Sequence, residues 1–239
     1  PDSHQILRAY YMQIPQTLRM ISKSKVVVLL LAALATNFFS AQAQPTNAAA
    51  PVYLFSTFKE GYQDGLRFAY SYDGYHWSNV PGLFLRAQVG KDKIMRDPSI
   101  TRGPDGSWHL VWTTAWRGNN GFGYAHSKDL VHWSEQKFIP VMAHEPTVLN
   151  CWAPEIVWDA KRSEFLIFWA STIPGKFTET AGGGDDKYNH RMYSTTTKDF
   201  KSFTPTKLFY DPGFNVIDAT ILPAHGRFHL IVKDETRKP

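Results

Sequence analysis

The chain has 239 residues, 43% of them hydrophobic and 20% charged, which is the composition of a globular protein rather than a disordered one, with length for one large domain or two small ones. Its formal charge of +5 does not make it a phosphate binder: Arg8, Arg19, Lys23 and Lys25 against Asp2 put +3 before residue 44, leaving +2 for the remainder, where no basic run interleaves with the aromatics. Nucleic acid is excluded as a partner on that ground, and a single cysteine, Cys151, permits no intramolecular disulfide.

Residues 1–19 precede Met20, a natural start for a secretory signal, and have no identifiable function in export; they read as an upstream extension. Lys23 and Lys25, the ten-residue apolar run from Val26 to Ala35 and the small-residue segment Ala41-Gln42-Ala43 form the three regions of such a signal. We expect a signal peptide over residues 20–43, cleavage after Ala43 and a secreted or periplasmic product, with 44–50 as a short linker. The apolar run is well short of the ~20 residues that a spanning helix needs, so no stable membrane insertion is expected.

From residue 51 onward short apolar and aromatic runs alternate with Gly, Pro, Asn and Asp, an all-β pattern. An element recurs in it: SYDGYHW ending at Trp77, SKDLVHW ending at Trp133 and TKDFKSF ending at Phe203. Each predicts a tight outer hairpin whose Asp accepts turn hydrogen bonds and whose closing aromatic fills the gap to the next sheet. The spacing is 56 residues from Ser71 to Ser127 and 70 from Ser127 to Thr197, the excess falling in the polar stretch 175–189. Between the hairpins lies a second repeat: DPSITRGPDGSWHLVWTT from Asp97, EIVWDAKRSEFLIFWAST from Glu155 and DATILPAHGRFHLIVKDE from Asp218. Strand pairs recurring at this period predict the blades of a β-propeller, about three and a half of them, over residues 51–239. Inner strands of a propeller converge on one mouth, so Asp97, Glu155 and Asp218, aligned as equivalent starts of inner strands, would share a cavity. Three acids there are costly to desolvate unless they serve a site.

Smaller signals point elsewhere. Trp112, Trp116 and Trp169 are expected to pack between blades, whereas Trp152, close to Glu155, is the better platform for a sugar ring. Cys151 reads as a small buried residue. The GGGDD run from Gly182 to Asp186 lacks the spaced oxygen ligands of a calcium loop and reads as a flexible segment over the site. His144 and His190 have no partners at metal-binding spacing, which sets metal catalysis aside.

The segments MRDPSI, CWAPEIVWD and NVIDATI, in that order, resemble the motifs of glycoside hydrolase family 43. The resemblance runs from about Pro51 to the C-terminal end. It implies a five-bladed propeller that hydrolyses arabinose- or xylose-containing plant polysaccharides or oligosaccharides with inversion, needs no cofactor and permits a structural calcium on its axis. It also implies that Asp97 is the general base, that Asp218 tunes the pKa of the general acid, and that Trp152 to Glu155 shape the sugar site. The family places its general acid as a glutamate in a Glu-Gly-Pro segment of the following blade, and no such segment occurs here. Glu155 lies too early in the blade order and Glu235 within the Asp218 blade, so the acid is expected beyond Pro239. By itself the chain is expected to be inactive and poorly stable. Two other readings stay open: an invertase-like propeller, though its Asn-Asp-Pro segment is missing, and a carbohydrate-binding propeller without catalysis.

Overall fold

A computed structural model of the chain describes residues 7–11, 52–181 and 188–236. The signal, the linker and the Gly182–Asp186 run lie outside the described residues. The described chain is all-β apart from one short 3₁₀ turn, and its strands form four sheets. The first sheet is β2 (Tyr53–Thr57), β3 (Gly65–Ser71) and β4 (Ser78–Arg86). The second is β5 (Arg96–Arg102), β6 (Trp108–Thr113), β7 (Phe122–Ser127) and β8 (Lys137–Ile139). The third is β9 (Trp152–Asp159), β10 (Glu164–Ser171), β11 (Arg191–Thr197) and β12 (Lys207–Tyr210). In the fourth, β13 (Val216–Ala224) pairs with β14 (Arg227–Asp234), on whose far edge the backbone of β1 (Leu7–Tyr11) also pairs. Every pairing is antiparallel, and within each of the first three sheets it joins strands in chain order, the meander of a propeller blade.

The core lies between the faces of successive sheets, and the two-residue alternation of the strands explains how. On β6, Leu110 and Trp112 pack against Leu66 and Phe68 of the first sheet, while Val111 turns the other way to join Trp169 and Phe165 of the third. On β10, Ile167 and Trp169 face the second sheet, whereas Phe168 and Ala170 face Val216 and Leu230 of the fourth. Trp112 and Trp169 are thus core residues, as expected, and Cys151 is buried. Each large apolar side chain in these layers contributes about 1.5–3 kcal/mol by its burial.

The hairpin grammar holds at all three sites. Ser71 Oγ accepts the amides of Asp73 and Gly74 at 3.2 and 2.8 Å, and Asp73 Oδ1 accepts those of Tyr75 and His76, both at 2.8 Å. Ser127 with Asp129, and Thr197 with Asp199, repeat the pattern. The closing aromatics of the second and third hairpins, however, fill the gap to the preceding sheet rather than the next, and Trp77 of the first stays 45% exposed against Phe55 of its own sheet. Trp133 packs beside Leu66 and Phe68 of the first sheet, and Phe203 packs in the cluster that the second sheet shares with the third. Alternation is the reason: Ala125 of β7 faces the first sheet, and Ser127, two residues on, anchors the hairpin on that same face.

Candidate active site

The inner strands β5, β9 and β13 each begin with a bulge of the same design. The pairing shifts between Arg96 and Ser99 on β5, between Trp152 and Glu155 opposite Ala170 and Phe168, and between Ile217 and Thr220 on β13. The first residue of each bulge has a left-handed backbone: φ is 49° at Asp97, 45° at Ala153 and 50° at Asp218. Asp97, Ala153 and Asp218 are therefore the equivalent positions. This corrects the alignment expected from the sequence, in which Glu155 stood with the two aspartates. Glu155 instead matches Ser99 and Thr220, two residues further along. Two residues is one full strand repeat, so it still faces the same space.

That space is a cavity of about 530 Å³, within the usual range for small-molecule sites, walled by Asp97, Ser99, Glu155, Asp218 and Thr220 with Phe55 and Phe58 on the β2 side. The structure thus brings together the three acids that the sequence singled out. Asp97 is held by its neighbours: Thr113 Oγ1 donates to its Oδ2 at 3.1 Å, and Arg96, paired with Glu60 at 2.7 Å, places its guanidinium over the Trp116 ring at 4.0 Å and the Phe58 ring at 4.8 Å. Burial pushes the Asp97 carboxyl above the usual carboxylate range, while Arg96 and the Thr113 hydroxyl hold it down.

Asp218 is pushed further, to about 6, first by loss of solvent and then by the negative charge of Asp97, with Lys233 opposing at 3.8 Å. Its side chain keeps 49% of its surface open, so it is the surrounding cavity walls, rather than close packing, that thin the water around it. Glu155 is raised by burial and restrained by hydrogen bonds from Thr220, at 2.9 Å, and from Ser99. These two hydroxyls belong to the positions that match its own in the neighbouring blades, so the three residues form one belt across β5, β9 and β13. Two carboxylates at matching bulges, the second made more basic by the first, form the kind of environment that sets acid and base chemistry near neutral pH.

Trp152 is not one of the cavity walls. Its Nε1 donates to the Trp116 carbonyl at 2.9 Å, and its ring meets Trp116 edge-on at 5.9 Å, Tyr188 at 4.7 Å and His190 at 5.0 Å. Trp116, expected to be core, is 44% exposed and stacked under Arg96. It follows the end of β6 by three residues, beyond the strand whose alternation would have buried it, and sequence reasoning missed it for that reason. Calcium, which the resemblance permits, needs six to eight oxygens; among the described residues no group of three or more His, Cys, Asp or Glu gathers to hold a metal. Among the described residues no helix is long and apolar enough to cross a membrane.

Comparison with known proteins bears on the family and the fold. Residues 49–238 match the glycosyl hydrolase 43-related family, described as "Probable glycosyl hydrolase domain". An α-L-arabinofuranosidase of Bifidobacterium longum is 26% identical over 116 residues, which are 46% of this chain and 11% of that protein. Among solved structures, an exo-β-1,3-galactanase from Phanerochaete chrysosporium superposes with a TM-score of 0.53 at 13% identity, covering 77% of this chain and 41% of the other. An N-acetylgalactosamine deacetylase from F. plautii superposes with a TM-score of 0.50 at 14% identity, covering 78% and 60%. The chain spans a small part of the curated relative and less than two thirds of either structure. At these identities the structural likenesses bear on the fold alone, which is that of the β-propellers.

Proposed function

The chain belongs to the glycosyl hydrolase 43-related family, and from that premise we propose that it serves a glycosidase acting on arabinose- or xylose-containing plant polysaccharides or oligosaccharides, with inversion of configuration. The observation that carries this reading is the pair Asp97 and Asp218 on matching bulges of one cavity. The arabinofuranosidase name of the curated relative favours arabinose. Export by the signal at residues 20–43 would bring the protein to such a substrate.

Inversion needs an ionised carboxylate that activates water on one face of the sugar and a protonated acid on the other, with room for that water between them. Asp97 takes the first role: its Oδ2 is oriented by Thr113, and Arg96 favours its ionised form. Asp218 takes the role of a neighbouring charge that raises the acid's pKa. Glu155 is tied to Thr220 and Ser99, and Glu235 pairs with Lys233 at 2.5 Å. Both are held by these partners, and neither is assigned the role of the acid in this reading. Trp152, just before Ala153 of the cavity wall, keeps in this reading the role of an aromatic contact for the sugar.

Asp97→Ala is expected to lower kcat on aryl arabinofuranosides or xylosides by ~10³-fold while sugar binding survives. Retained turnover would reject Asp97 as the base. Binding without turnover in the unaltered protein would favour a non-catalytic carbohydrate-binding propeller.

A further inference from the structure

The repeated bulge fixes which residue of the second strand stands opposite it. Arg96, just before Asp97, pairs with Thr113; Ile217, just before Asp218, pairs with Lys233; and Trp152, just before Ala153, pairs with Ala170. Thr113, Ala170 and Lys233 therefore occupy one structural position in three blades. Where the bulge carries a carboxylate, this position carries a group that acts on it: Thr113 Oγ1 donates to Asp97 Oδ2 at 3.1 Å, and Lys233 Nζ, held by Glu235 at 2.5 Å, places its charge 3.8 Å from Asp218 Oδ2. Where the bulge carries Ala153, the position carries an alanine.

From this correspondence we infer that Thr113 and Lys233 are positioning residues for the bulge carboxylates of their own blades: Thr113 orients Asp97 by its hydrogen bond, Lys233 holds a positive charge beside Asp218, and each thereby sets the proton affinity of its carboxylate. The inference rests on the roles proposed for Asp97 and Asp218, and it adds the residues that govern them.

Thr113 has one hydroxyl proton and little freedom to aim it. The residue is 1% exposed, and the amide of Ala153 donates to Oγ1 at 2.8 Å. With its oxygen engaged as an acceptor, the hydroxyl can satisfy its own proton by donating to Asp97. The amide that aims it comes from the bulge of the next blade, so the orientation of Asp97 depends on the docking of the second sheet against the third. Thr114 and Asn119 reinforce that junction: Thr114 Oγ1 donates to Asn119 Oδ1 at 3.2 Å, and Asn119 Nδ2 donates to the Cys151 carbonyl at 3.1 Å. The other charges acting on Asp97 are Arg96 on its own strand, Glu60 after β2 and Asp218 on β13. All of them remain when Thr113 is changed, which isolates the hydroxyl.

Carboxyl-carbon NMR titration of Asp97 and Asp218 in the full chain tests this without relying on turnover. Thr113→Val keeps the shape and removes the hydroxyl, both the donor to Asp97 and the acceptor of the Ala153 amide, and the Asp97 midpoint is expected to rise by about one pH unit, the size of one hydrogen bond to a charged group. Thr113→Ser restores the donor and should return the midpoint toward its original value. Lys233→Met should raise the Asp218 midpoint in the same way, and because Lys233 is partly open to solvent that variant does not depend on how the core tolerates valine. A merely structural threonine would change stability and leave the midpoint in place. An Asp97 midpoint unmoved in Thr113→Val, or moved equally in Thr113→Ser, overturns the inference for Thr113, and an unmoved Asp218 midpoint in Lys233→Met overturns it for Lys233. Either result leaves the Asp97→Ala turnover experiment to judge the proposed function separately.

Discussion

His190 is locked in its neutral form by a chain of hydrogen bonds, and the chain predicts how stability depends on pH. The amide of Thr172 donates to Asn150 Oδ1 at 3.0 Å, which turns Asn150 Nδ2 toward His190 Nε2 at 2.9 Å. Nε2 must therefore accept. On the other side, Asn215 Oδ1 accepts from the His190 amide at 2.8 Å and from Nδ1 at 3.0 Å, so the proton sits on Nδ1. A second proton would face the Asn150 amino group inside a buried site. Burial is the main cause that lowers the His190 pKa from 6.5 to about 4, with Arg191 also lowering it and the Asn215 bond opposing. His109, stacked on Phe200 at 4.6 Å, is likewise lowered to about 4 by burial. Between pH 6.5 and 4 the unfolded chain binds protons that the folded chain refuses, so stability falls as the pH falls through that window. For the fully enclosed His190, ~2.5 pH units correspond to about 3 kcal/mol, a large share of the ~5–15 kcal/mol of a typical domain. Urea denaturation at steps from pH 7 to 4 should show this loss, and His190→Gln should reduce it to the share that His109 contributes. Imidazole NMR that finds His190 titrating near 6.5 would refute the reasoning.

Two further substitutions probe the packing within and between blades. A Cβ at Gly123 would lie 2.1 Å from the buried Trp112 ring, so Gly123→Ala should cost at least ~1–3 kcal/mol by overpacking, read as a lowered urea midpoint. Arg191 is fully buried; its guanidinium meets Asp211 at 2.5 Å, Asn189 at 3.0 Å and Thr180 at 2.8 Å, and lies over the Phe177 ring at 4.4 Å. Arg191→Met strands these partners and should destabilise by about 3–5 kcal/mol, seen as a fall in Tm.

The hairpins were legible because a Ser or Thr, an Asp and an aromatic at fixed spacing encode the turn locally. The two aspartates were legible for a similar reason, as breaks in apolar strands. Glu155 was misplaced because acids were aligned with acids, whereas the bulge is carried by the shared pattern Asp-Pro-Ser-Ile, Ala-Pro-Glu-Ile and Asp-Ala-Thr-Ile at Asp97, Ala153 and Asp218. The Asn150, His190 and Asn215 network left no periodic trace, since its members meet only once three separate segments pack. Trp116 sits in a loop, where strand alternation says nothing about exposure.

The left-handed residue that opens each bulge has a consequence for how this scaffold can change. An L-residue at such a φ costs the chain roughly 1–2 kcal/mol, a cost from which glycine is exempt and which aspartate only lessens. A fold needing only the bend would be more comfortable with glycine at residues 97 and 218. The aspartates, like Ala153 at the third bulge, sit against the preference of their own backbone. On the roles proposed for these two aspartates, loss of chemistry is the direction in which the fold itself would relax, so a more stable descendant of this protein could arise by the same step that silenced it.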